Sequence, residues 1–142
     1  MKRTATAVWS GDLKTGNGAI SMQSGVIKDS PYTFKARFED ESGKSATNPE
    51  ELIAAAHASC FTMQLSHFLA EAGHPAAKLT TVAEVEVKPG VGITKSALTL
   101  TGNVPGMSAA DFQAAADKAK AGCPVSKALA SIEITLETKL EG

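Results

Sequence analysis

An α+β fold, with antiparallel sheets around a long central helix, is what this sequence predicts. Three observations carry that expectation. Strand-like segments separated by turns fill the first forty residues, a long apolar stretch from Asn48 to Gly73 keeps a helical pattern, and strand patterning returns at Thr80–Val87, Ile93–Thr101 and the closing "IEITLET". With 142 residues the chain is near the usual size of one domain, so a single domain over 1–142 is expected. No repeat, low-complexity block or long linker divides it.

The elements follow in order. "TATAVWS" reads as a strand, "GDLKTGNG" as turns, and "AISMQSGVI" as a second strand. In "PYTFKARFE", Tyr32, Phe34, Ala36 and Phe38 alternate with Thr33, Lys35, Arg37 and Glu39, which predicts a third strand with Arg37 opposite its aromatic face. Asn48 suits an N-cap, Pro49 the first helical position, and Glu50 and Glu51 the positive end of the helix dipole. Gly73, with Pro75 soon after, should stop that helix. Its interior, Leu52 to Ala72, is apolar on most of its circumference and is expected to be buried on several sides. Two strands joined by "KPGVG" come next. Ser108 then caps an alanine-rich helix, with Asp111 at the capping-box position. Gly122 breaks that helix, Cys123-Pro124 opens a short one, and a strand closes the chain.

Composition narrows the functions. Hydrophobic residues make up 43% and the formal charge is −1, which gives no electrostatic footprint for nucleic acid or an anionic membrane. The start, "MKRTATAVWS", lacks an apolar run suited to a signal peptide, and no segment is apolar enough to span a bilayer. A cytoplasmic protein is the expectation.

Two cysteines, Cys60 and Cys123, are the candidates for chemistry. In a reducing compartment they suggest redox or nucleophilic chemistry rather than a structural disulfide, although many buried cysteines are inert packing. Cys60 lies about three turns into its helix, beyond the reach of the dipole, so a reactive thiolate there needs a cation from elsewhere. The chain has two arginines, and Arg37 is better anchored than the terminal Arg3. Its planar, permanently charged guanidinium can hold a thiolate or an oxygen. A surface pair with Glu39 is the competing reading of Arg37. Cys123, between Gly122 and Pro124 at a helix start, has the better position for a lowered pKa, and a purely local argument makes it the attacking thiol. His57 and His67 fall near the helical face of Cys60. A base or a zinc site built on them is conceivable, but no CxxC or HxxxH spacing supports a closed metal site, and a histidine hydrogen-bonded to its neighbours is the simpler reading.

The segment "TNPEELIAAAHASCFTM", with "AGCPVSKAL" downstream, resembles the OsmC/Ohr family of osmotically inducible and organic hydroperoxide resistance proteins. The resemblance runs over nearly the whole chain, including "PYTFKARFE" and "IEITLE". It is nearer the osmotically inducible branch, because the early loop "GDLKTGNG" offers only Lys14 and the guanidinium must come from Arg37. It implies an OsmC-like fold assembled as an intertwined homodimer with active sites at the interface. It also implies a cysteine-based peroxidase that reduces organic hydroperoxides to alcohols in oxidative or osmotic stress defence. Position by position, Cys60 resembles the attacking cysteine and Cys123 the resolving one, while Arg37 and Glu50 match the charged residues that activate the thiolate. Cys60 would become a sulfenic acid and condense with Cys123 to a disulfide. No cofactor is implied beyond an external dithiol reductant, such as a dihydrolipoyl group or a lipoylated protein.

Glu50 precedes Cys60 by ten residues, so on an unbroken helix the two are about 15 Å apart along the axis and about 80° apart around it. Glu50 is therefore expected to serve the Cys60 of a partner subunit. The alternatives are a non-catalytic stress-induced protein that binds a small ligand and buries both thiols, and a Cys/His metal site.

Overall fold

The computed structural model describes residues Met1–Gly142, and its contacts sort them into two units, Met1–Pro49 and Glu50–Gly142, where the sequence reading treats 1–142 as one domain. In the first unit β1 (Ala5–Ser10), β2 (Asn17–Met22) and β3 (Ser30–Tyr32) form an antiparallel sheet in that order. Trp9 and Tyr32 meet across β2, their ring centroids 5.3 Å apart. Between them Gly18 leaves no space, since an added Cβ would lie 2.7 Å from the Trp9 ring and closer still to Tyr32.

The third strand is shorter than its sequence predicts. It ends at Tyr32, and Phe34–Phe38 is a helical turn, α1. Thr33 is its N-cap, with Oγ1 accepting the Ala36 N–H at 3.0 Å. The reason lies in the spacing: Phe34 and Phe38 suit one face of a strand but are also four apart, the helical spacing. Their rings pack 5.1 Å apart. Arg37 therefore projects from a helical turn and not from mid-strand, with its guanidinium 4.8 Å from the Phe38 ring centroid.

The long helix α2 (Pro49–Glu71) lies in the second unit from its second residue onward, with Glu50 and Glu51 in its first turn. It ends in a Schellman motif. Gly73, at φ +83°, donates its N–H to Ala70 O at 3.0 Å, and His74 donates to Leu69 O at 2.9 Å. His57, Phe61, Leu65 and Leu69, each four residues on, form its buried stripe. The opposite side is open within the chain, and Met63 there is 75% exposed, so burial on several sides is not met by one copy.

β4 (Lys78–Lys88) pairs antiparallel with β5 (Gly92–Asn103), and β6 (Glu133–Glu141) lies parallel on the other edge of β5. The parallel pair departs from the all-antiparallel expectation. Its cause is the crossover through α3 (Ala109–Gly122) and α4 (Pro124–Ala128), which returns the chain to the starting end of β5. Ser96, Leu98, Leu100 and Gly102 are the buried face of β5, and the core joins Leu98 and Leu100 to Phe61, Leu65, Leu69, Phe112 and Cys123. Ser108 caps α3 as expected, accepting the Asp111 N–H at 3.1 Å. No helix is long and apolar enough to cross a membrane.

Candidate active site

Cys60 sits in the middle of α2, one position before the buried Phe61, and is half-buried. It lines an apolar cavity of about 310 Å³ with Met63, Gln64, His67 and Pro124. Cys123 is fully buried. It closes α3 by donating its N–H to Ala119 O at 2.8 Å, and it is the residue from which α4 starts, with Pro124 in the first position. One extended residue between two helices thus carries the second thiol to the first.

Cys60 packs against the core cluster that holds Cys123, and the environments of the two thiols push their acidities apart. Burial raises the Cys60 thiol above the ordinary range; the Val125 N–H counters this in part, and the bond and charge of Cys123 add to the rise. Burial would raise Cys123 too. The Ser126 N–H, the Cys60 thiol, the Ser126 hydroxyl and the Val125 N–H outweigh it, and Cys123 is held below the ordinary thiol range. Acidity and access therefore fall on different residues: Cys123 is the more acidic thiol, and Cys60 is the one that opens on a cavity.

His57 is fully buried and bonds through Nδ1 to Ser96 Oγ at 2.7 Å and through Nε2 to Ser126 Oγ at 2.8 Å. The simpler reading of this histidine, as hydrogen-bonded to its neighbours, holds. Desolvation keeps it below the usual imidazole range, so the ring is neutral near pH 7. His67 is exposed and pairs with Glu71 at 3.4 Å. No three His, Cys, Asp or Glu side chains converge as metal ligands would. Neither Ser96 nor Ser126 stands out in the sequence as a candidate for chemistry. Their signals are a serine in phase with inward Leu98 and Leu100, and one three residues after Cys123.

Glu50 is 7% exposed in the first turn of α2, and the helix runs unbroken from it to Cys60. The chain does not bring those two together, since ten residues of helix hold them about 15 Å apart along the axis. Arg37 belongs to the first unit, where it lines an aromatic cavity of about 290 Å³ with Trp9, Tyr32, Phe34 and Phe38.

Known proteins resemble this chain in sequence and in fold. Residues 41–139 match the family model described as OsmC-like protein. The chain is 50% identical over 138 residues to the peroxiredoxin OsmC of Escherichia coli (strain K12), covering 95% of this chain and 94% of that one. It is 36% identical over 101 residues to an organic hydroperoxide resistance protein of Xanthomonas axonopodis pv. citri (strain 306), covering 66% and 68%. The crystal structure of the organic hydroperoxide resistance protein OhrB of Bacillus subtilis superposes with a TM-score of 0.66 at 27% identity, covering 96% of this chain and 98% of that one. By its family match and by half-identity along nearly its whole length, this chain belongs to the OsmC-like protein family.

Proposed function

We propose that this chain is a thiol-dependent peroxidase that reduces organic hydroperoxides to alcohols in oxidative or osmotic stress defence, Cys60 attacking and Cys123 resolving. The observation that carries it is a half-buried Cys60 on an apolar cavity, with a buried Cys123 beside it. The names of its relatives, a peroxiredoxin and an organic hydroperoxide resistance protein, support a peroxide-related stress function. Access decides the division of labour. A peroxide can reach the cavity beside Cys60, whereas Cys123 has no exposed surface.

The Cys60 thiolate attacks one peroxide oxygen, the O–O bond breaks, and the alkoxide takes a proton and leaves as the alcohol. Cys60 is then a sulfenic acid, and attack by Cys123 forms the disulfide and releases water. An external dithiol, such as a dihydrolipoyl group or a lipoylated protein, restores both thiols by exchange. Because burial raises the Cys60 thiol, the thiolate needs a cation. In this reading Arg37 provides it and Glu50 orients it. A homodimer completes the proposal. The uncovered side of α2, with small residues Ala55 and Ser59 and the exposed Met63, supports a second copy there. The cytoplasm, as a reducing compartment, fits a cycle that ends in two free thiols.

The aromatic cavity of the first unit favours a second reading, a non-catalytic protein that binds a small apolar ligand. Treatment with one equivalent of cumene hydroperoxide, followed by a thiol count under denaturing conditions, separates the two. The peroxidase loses both thiols together; the ligand carrier loses neither. Cys60→Ser abolishes peroxide consumption, while Cys123→Ser consumes one equivalent and leaves a sulfenic acid that dimedone traps. The reverse pattern would make the more acidic Cys123 the attacking thiol.

A further inference from the structure

Three polar side chains occupy the core beside the thiols. His57 on α2 and Ser96 on β5 are 0% exposed, and Ser126 on α4 is 5% exposed. The imidazole bridges the two hydroxyls at 2.7 and 2.8 Å. Ser126 lies three residues after Cys123 in the first turn of α4, where its hydroxyl helps to hold the Cys123 thiol down, and Cys60 is the neighbouring thiol. A hydrogen-bonded path thus runs from Ser96 through His57 to Ser126 and ends beside the thiol pair, within one unit. Core packing alone does not call for it. Burying three polar groups is tolerable only because each is bonded, and apolar residues would fill the same space without that condition.

We propose that Ser126 and His57 form a proton relay that prepares Cys123 for disulfide closure, with Ser96 holding the ring in the accepting tautomer. This rests on the peroxidase reading and concerns only its second chemical step. In the thiol state His57 Nδ1–H donates to Ser96 Oγ, while Nε2 accepts the Ser126 hydroxyl proton. The Ser126 oxygen then has a lone pair for the Cys123 S–H. As the Cys123 sulfur approaches the Cys60 sulfenic acid, its proton passes to Ser126 Oγ and the proton of Ser126 passes to His57 Nε2. The electron pair of Cys123 makes the S–S bond. The S–O bond of the sulfenic acid breaks, and its pair leaves with hydroxide. His57 returns its extra proton through Ser126 to that hydroxide, so each closure yields one disulfide and one water. Once the thiolate forms, the Ser126 hydroxyl is turned toward it and stabilises it. Ser126 touches the reacting sulfur; His57 and Ser96 are positioning residues that act through it.

Spacing places these groups on adjacent elements. His57 is three residues before Cys60 on one helix, and Ser126 is three after Cys123, so both helices present a relay group beside their own thiol. Burial keeps the resting imidazole neutral, so Nε2 can accept a proton, and the same desolvation disfavours the charged ring and makes it give that proton up again.

The test is rapid-mixing single turnover with cumene hydroperoxide, following peroxide loss and disulfide formation separately. His57→Gln keeps a polar side chain but cannot take up a proton, and Ser126→Ala breaks the path without enlarging any residue. Each should slow disulfide closure about 100-fold, the low end of general acid–base catalysis, and let the Cys60 sulfenic acid accumulate. The preceding loss of peroxide should keep its rate. The double variant should be no slower than either single one, because both cut the same path, and Ser126→Thr should recover closure by restoring the hydroxyl. Closure at the wild-type rate in Ser126→Ala overturns the relay, as does equal slowing of both steps, which marks general disruption. If wild-type protein consumes no hydroperoxide, the peroxidase reading itself fails, a result these variants do not mimic.

Discussion

The position of Glu50 makes the demand on assembly testable in a single experiment. Glu50 and Cys60 share α2, which has no interruption between Pro49 and Glu71. Ten residues at 1.5 Å each separate them by about 15 Å along the axis, and ten steps of 100° leave them about 80° apart around it. A glutamate side chain does not cover that distance, so a Glu50 that assists a thiolate must assist the one in the other copy. Two variants, Cys60→Ser and Glu50→Leu, are each expected to be inactive as homodimers. Unfolded together in equal amounts and refolded, they reassort at random, and roughly half of the two-fold dimers become mixed. In a mixed dimer the intact Cys60 of one chain meets the intact Glu50 of the other, giving one complete site of two. The mixture should therefore recover about a quarter of the wild-type hydroperoxide turnover, a value fixed by the symmetry of the pair. Turnover is measured by peroxide loss with dihydrolipoamide as reductant, and mixed dimers are counted with two different affinity tags. Tag-confirmed mixed dimers without turnover would refute action across an interface, and wild-type turnover by Glu50→Leu alone would remove Glu50 from the mechanism.

Other expectations follow from single residues. Arg37→Met should raise the Cys60 pKa and slow peroxide attack, with Arg37→Lys rescuing only part, because an ammonium lacks the planar fork; peroxide rates unchanged in Arg37→Met would end that role. Gly102→Ala places a methyl against the buried Phe112 ring and Leu79, so it should cost about 1–3 kcal/mol, read as a lower urea midpoint at unchanged slope. His57 has a folded pKa below that of a free imidazole, so the unfolded chain binds more protons at mildly acid pH. Its contribution is complete above about pH 6.5 and is lost as pH falls below that value. Urea midpoints taken across that window should fall toward acid in the wild type and fall less in His57→Gln, and equal slopes would show that His57 is not the group responsible.

Residues that act through their neighbours in the chain were legible without coordinates. Pro49, Glu50 and Glu51 mark the start of α2 and Gly73 its end, because caps and breakers depend on local backbone geometry. Ser108 capping α3 is of the same kind. "PYTFKARFE" misled because residues 34 and 38 satisfy two periods at once, and only the Thr33 cap and the Phe34–Phe38 contact decide between them. The direction of β6 was equally hidden, since a strand's own pattern does not say which way its neighbour runs.

At the site the division is the same. Residue types and spacing, through the family resemblance, pointed to Cys60 and Cys123 as a pair, and the helix start at Cys123 was readable as an acidifying position. Long-range packing alone decides that the two thiols are neighbours, that access belongs to Cys60 and not to Cys123, and that Ser96 and Ser126 close on His57 from 39 and 69 residues away. The physical reason is distance along the chain. A cap or a turn is set by neighbours within a few residues, whereas a hydrogen bond between remote segments and the desolvation of a thiol exist only once the whole core has closed around them.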